Sequence, residues 1–86
     1  MNKYVVITLN DNGLNEMSFM SLEAANNFIV NEVVKELREN PGYQKWTNKN
    51  QIAVINEKEK KLLSIRTLIV EDILTKLGGL IDEKYR

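Results

Sequence analysis

From residue 4 to residue 9 the side chains divide with a period of two into an aliphatic face and a second face that includes an aromatic and a polar residue. Val5, Ile7 and Leu9 share one face of this segment. The other face is formed by Tyr4, Val6 and Thr8. Such alternation predicts a β-strand, and we expect the Val5 face to lie on the core.

The sequence DNG at residues 11–13 predicts a hairpin turn after this strand. A three-residue loop that pairs Asn10 with Leu14 places the glycine in the left-handed region, which glycine adopts at little cost. The same register sets Ile7 opposite Met17 in a second strand. A two-residue loop at residues 12–13 would instead mix polar groups into the apolar face. We therefore expect the three-residue loop.

An amphipathic helix is predicted to follow the hairpin. Ser21 is a suitable N-cap for a helix that begins at Leu22, and Glu23 lies in the first turn, where the helix dipole favours an acid. Apolar residues then recur at three- and four-residue spacing: Leu22, Ala25, Phe28, Ile29, Val33 and Leu37. The sequence NPG at residues 40–42 ends the helix, because proline cannot continue it and glycine allows a left-handed exit.

Residues 52–55 predict a third strand, and the segment after it has two interpretations. One long helix from Glu57 to Leu77 would place Arg66 within an apolar stripe, and a buried unpaired guanidinium costs several kcal/mol. The alternative is a polar turn at residues 57–60 followed by a strand from Lys61 to Thr67. We expect the turn and the strand.

A second helix is predicted from Leu68 to Leu77 and is ended by the glycine pair at residues 78–79. The expected fold of residues 1–86 is therefore a single α+β domain of two layers. A four-stranded antiparallel sheet carries two helices on one face, in the order ββαββα. The long-helix interpretation gives ββαβα instead.

Composition limits the classes of function. Twelve Lys and Arg balance twelve Asp and Glu, so no global field attracts nucleic acid or an anionic membrane. With 43% hydrophobic and 28% charged residues the chain is typical of soluble globular domains. Residues 1–12 do not resemble a signal peptide, and no apolar run reaches the length of a membrane span, so we expect a cytoplasmic protein with no membrane partner. Frequent asparagine, lysine and isoleucine point towards a phage or mobile-element product.

The residue types used most often in catalysis near neutral pH are missing. The chain has neither cysteine nor histidine, and it lacks the glycine motifs that bind phosphates or dinucleotides. Carboxylate pairs occur at residues 57 and 59, 71 and 72, and 82 and 83, on segments expected to face solvent. We therefore predict neither an enzyme nor a metal or cofactor site. A carboxylate-dependent enzyme would require Glu71 or Asp82 to converge with other acids in a pocket.

The stretch PGYQKWTNKNQ at residues 41–51 is the first candidate binding segment. It contains the only tryptophan of the chain, Trp46, together with Tyr43, Lys45 and Lys49. Tyrosine and tryptophan are favoured anchors of protein interfaces. The alternative is that Trp46 folds back as a lid over the core.

The sheet surface is the second candidate. With both helices on the opposite face, Tyr4, Val6 and Met20 would form a partly apolar patch open to a partner. These residues and the 41–51 segment indicate a small non-catalytic module that binds another protein or forms a homodimer. The alternative function is nucleic-acid binding by the same segment, with Lys35 and Arg38 as phosphate contacts.

Overall fold

The structure is a computed structural model that describes residues 2–72. The elements in chain order are β1 (Asn2–Asn10), β2 (Gly13–Phe19), α1 (Leu22–Glu39), β3 (Gln44–Asn48), β4 (Gln51–Asn56) and β5 (Lys61–Asp72). The five strands form one antiparallel sheet in the order β2-β1-β5-β4-β3. The described fold is thus ββαβββ with a single helix.

The predicted four-stranded sheet with two helices is wrong, and so is the long-helix alternative. Residues 44–48 form a fifth strand inside what was predicted as a loop. Residues 68–72, predicted as the start of the second helix, continue β5 and pair with the first residues of β1. The β-branched residues Ile69 and Val70 suit a strand, and pairing with β1 outweighs the helical spacing of the apolar residues. Residues 73–77 of the predicted helix lie outside the described residues.

The turn between β4 and β5 confirms part of the prediction. It occupies residues 57–60, and β5 begins at Lys61. Asn56 organises the turn, because its Oδ1 accepts a hydrogen bond from the backbone N–H of Glu59 at 3.0 Å. Lys60 in this turn has a φ of 56°, in the left-handed region.

The predicted helix is confirmed at both ends. Ser21 is the N-cap, and its Oγ accepts a hydrogen bond from the backbone N–H of Ala24 at 3.0 Å. The helix ends at Glu39, and Gly42 follows with a φ of 93°. Ala25, Ile29 and Val33 are its buried residues.

The hairpin register differs from both predicted registers. Asn10 pairs with Gly13, so the loop contains only Asp11 and Asn12. Asn12 donates its backbone N–H to Oδ1 of Asn10 at 2.9 Å, and Gly13 adopts a φ of 106°. This register is shifted by one residue from the predicted pairing with Leu14, and a one-residue shift exchanges the faces on which side chains of β2 lie.

The face of β1 that contacts the helix is the opposite of the predicted one. Val6 is 1% exposed and belongs to the core, together with Val54 of β4 and the buried residues of α1. Tyr4 and Phe19 pack against the same cluster, and the Phe19 ring lies 5.3 Å from that of Phe28. Both faces of β1 are apolar, so alternation alone does not identify the face that the helix covers.

Candidate functional site: the open sheet face

The sheet surface opposite the helix carries a continuous line of apolar residues. Backbone pairing aligns one residue of each strand along this line, from β2 to β3: Leu14, Leu9, Ile65, Ala53 and Trp46. We call these five residues the apolar row and the surface around them the open sheet face. At about 4.8 Å between strands the row is about 19 Å long.

The ends of the apolar row are the most accessible. Leu14 is 74% exposed and Trp46 is 51% exposed, although both are large apolar side chains. Leu9 is also exposed, Ile65 is half-buried, and Ala53 is buried. The row is a surface feature that the helix does not cover.

Further apolar residues extend the open sheet face on both sides of the row. Ile55 and Leu62 form a pair on one side. On the other side Ile7 pairs with Thr67, and beyond them Ile69 is exposed, whereas its partner Val5 is only 2% exposed. The charged residues of this face lie near its margins: Lys3, Glu16 and Glu71.

The residues predicted for the 41–51 segment are separated by the sheet. Trp46 pairs with Ala53 and lies on the open sheet face, whereas Lys45 pairs with Val54 and lies on the helix side. Tyr43 is half-buried and packs against the core. Lys49 occupies the turn between β3 and β4 with a φ of 39°. Of these four, only Trp46 belongs to the apolar row.

The predicted sheet patch is divided in a similar way. Val6 is in the core, and Tyr4 is half-buried against it on the helix side. Met20 is 64% exposed in the connection between β2 and α1. The sheet surface opposite the helix instead carries Ile7 and the exposed Leu9, together with Val5, which is buried.

A polar network connects the helix to the sheet beneath it. Arg66 is 4% exposed and contacts Glu36 with both terminal nitrogens, Nη1 to Oε1 at 2.6 Å and Nη2 to Oε2 at 3.1 Å. Ser64 donates its hydroxyl to Oε1 of Glu36 at 2.6 Å and accepts from Nη1 of Arg66 at 2.9 Å. Among the described residues, Nε of Arg66 has no hydrogen-bond partner. The network satisfies most of a guanidinium that would otherwise be buried without a counterion.

The environment of Glu36 sets its protonation state. Burial raises the pKa of its carboxyl, but the hydrogen bonds from Arg66 and Ser64 and the Arg66 charge outweigh burial, so the pKa lies below its usual value. Glu36 is therefore ionised at neutral pH. The contacts fit a structural ion pair between α1 and β5.

The rest of the described chain offers little other chemistry. No three histidine, cysteine or acidic side chains within residues 2–72 converge closely enough to bind a metal ion. None of the helical structure in that same range is long and apolar enough to cross a membrane.

Sequence reasoning missed the apolar row although signals for it were present. The run YVVITL is apolar on both sides of a strand, which is typical of a strand that is covered on both faces. The row itself depends on the order of strands in the sheet, and residues 9, 14, 46, 53 and 65 show no common spacing along the chain.

Searches against protein-family models, curated proteins and solved structures give no match to this chain.

Proposed function

We propose that this chain is a small non-catalytic interaction module that binds a protein surface through the open sheet face. Trp46 acts as an anchor at one end of the apolar row. The observation that carries the proposal is the row itself, which crosses all five strands on the side that the only described helix leaves uncovered.

The size of the open sheet face supports this function. Five strands at about 4.8 Å spacing, paired over six residues at about 3.3 Å each, give a footprint of about 500 Å². Within this footprint the large apolar side chains of Leu14, Trp46 and Leu62 are exposed, and clusters of exposed apolar side chains are often interaction sites. The patch also contains a half-exposed tryptophan, the residue type that contributes most strongly to binding energy at interfaces.

The distribution of charge favours a protein over nucleic acid as the partner. Lys45 lies on the opposite face of the sheet from Trp46, so the two do not form a combined stacking and phosphate-binding surface. Lys35 and Arg38 are exposed on α1, on the other side of the sheet from the apolar row. Binding through an apolar row is also expected to depend little on salt.

The test is affinity capture from a low-GC bacterial lysate by tagged protein, with and without nuclease, at low and moderate salt. The test variant is Trp46→Lys, and the matched control is Val34→Lys, because Val34 is an exposed apolar residue of α1. The expected result is a stoichiometric bound protein, either from the lysate or an untagged copy of this chain added to it, that resists nuclease and salt, is lost with Trp46→Lys and is retained with Val34→Lys.

Two other outcomes would contradict the proposal. Loss of all captured material on nuclease treatment would favour the nucleic-acid alternative, because phosphate contacts weaken steeply as salt rises. Equal capture by wild type and Trp46→Lys, together with loss by Val34→Lys, would place the binding surface on the helix.

A further inference from the structure

We infer that the partner of the open sheet face is a second copy of this chain, and that two sheets pack face to face in a symmetric dimer. The inference rests on the proposed function, because it names the occupant of the same face. It is carried by the area of that face, its charge and the arrangement of the apolar row.

The available area is sufficient for a specific dimer. A footprint of about 500 Å² on each copy buries about 1,000 Å² in total, which is near the lower limit for a biological interface. Paired sheets in β-sandwiches use the same arrangement, with their inner faces about 10 Å apart. A second copy supplies a complementary flat sheet of equal dimensions.

The charge pattern allows the face to contact itself. In a twofold interface each surface meets an identical surface, so a strongly charged patch would repel its own copy. The apolar row contains no charged residue. Lys3, Glu16 and Glu71 near the margins include both signs, and the whole chain has a formal net charge of +0.

The row also has a geometric centre that suits a twofold axis. Ile65 is its middle residue, and β5 is the central strand of the five. If the twofold axis lies between the two sheets, parallel to β5 and above Ile65, the row of the second copy runs in the opposite direction across its strands. Trp46 then contacts Leu14 of the partner subunit, and the two most accessible ends of the row cover each other.

The decisive experiment is sedimentation equilibrium of the full chain over a wide concentration range. A monomer has a mass of 10.0 kDa, so the dimer has twice that mass, 20.0 kDa. The test variant is Leu14→Lys, which changes a side chain that is 74% exposed and so is compatible with the fold. Val34→Lys on the helix is again the matched control.

We expect wild type and Val34→Lys to form the dimer with equal affinity. Leu14→Lys should weaken it by at least about 100-fold, because the symmetric interface then buries two uncompensated ammonium groups. Circular dichroism verifies that both variants are folded. Emission of Trp46 gives a second readout, since it should shift to shorter wavelength as the dimer forms.

The inference is overturned if wild type remains a monomer at all concentrations, or if Leu14→Lys leaves the dimer as tight as that of wild type. The capture experiment then separates the two proposals. A monomer that captures another protein through Trp46 retains the proposed function with a different occupant. A monomer that captures nothing contradicts both.

Discussion

Removing the Glu36 carboxylate charge is the most informative single perturbation of this fold. Glu36→Gln preserves size and shape but leaves the Arg66 guanidinium, 4% exposed, without its counterion. Nη1 of Arg66 lies 2.6 Å from Oε1 of Glu36, and the same oxygen accepts a hydrogen bond from the Ser64 hydroxyl. The substitution therefore affects a network and not an isolated surface pair.

The expected loss follows from the burial of the pair. Removing one partner of a buried ion pair typically costs about 3–5 kcal/mol. The Glu36 side chain is 18% exposed, so water partly compensates, and we expect a loss near the lower limit, about 3 kcal/mol. A domain of 86 residues has a total stability of about 4–13 kcal/mol. The melting temperature should fall by roughly 12–24 °C.

The assay is urea denaturation monitored by the fluorescence of Trp46, the only tryptophan, and by circular dichroism at a fixed protein concentration. Glu39→Gln is the matched control, because Glu39 is an exposed acid in the last turn of the same helix. It should change the free energy of unfolding by less than about 0.5 kcal/mol. A loss below about 1 kcal/mol for Glu36→Gln would refute the structural role of the network.

A double variant separates the cost of an unpaired charge from the contribution of the pair. Glu36→Leu with Arg66→Met replaces both ionic groups by apolar ones of similar size. Such replacements are often neutral or stabilising, because the desolvation cost of both charges disappears. We expect the double variant to recover only part of the stability that Glu36→Gln loses, because the Ser64 hydroxyl, 0% exposed, then loses both of its hydrogen-bond partners.

Acid should destabilise wild type through Glu36: its folded pKa lies below the usual 4.5, so its contribution is present above pH 4.5 and is lost as pH falls through the lower folded value. Urea titrations at several pH values should show this loss, and Glu36→Gln should show less of it. Val6→Ala should lower the free energy of unfolding by about 2 kcal/mol, because Val6 lies in the core beneath α1. A loss of no more than about 0.5 kcal/mol, as expected for an exposed position, would contradict the placement of Val6 on the side of β1 that α1 covers. Lys60→Gly should raise stability by about 1 kcal/mol, because glycine adopts a φ of 56° without strain, and a lower urea midpoint would argue against that conformation.

The parts of the fold that were predictable depend on local chemistry. Ser21 as a cap, the NPG stop at residues 40–42 and the polar turn at residues 57–60 each act within a few residues of the chain. Those signals gave the limits of the helix and the start of β5. The hydrogen bond from the backbone N–H of Glu59 to Asn56, which organises this turn, is local as well.

The parts that were wrong depend on contacts between distant segments. The burial of Arg66 illustrates this. A buried guanidinium was considered unfavourable, and it becomes acceptable only because Glu36, 30 residues earlier, reaches it from the helix. Glu36 lies three residues after Val33 and next to Leu37, within the inward stripe of α1, and that position was the available clue. The strand identity of residues 68–72 likewise depends on pairing with β1 at the other end of the described chain.

The strand order has a consequence for how the chain acquires its structure during synthesis. β5 is the last described strand, yet it lies between β1 and β4, so backbone pairing between the β1–β2 hairpin and the β3–β4 hairpin runs only through it. Each hairpin can form early from local contacts, but the sheet closes only after residue 72 has left the ribosome. Pairings between residues so far apart in sequence slow folding and leave strand edges exposed until the last one forms. A nascent chain that stops before β5 should therefore depend on chaperones, whereas the released chain can complete its sheet in a single final step.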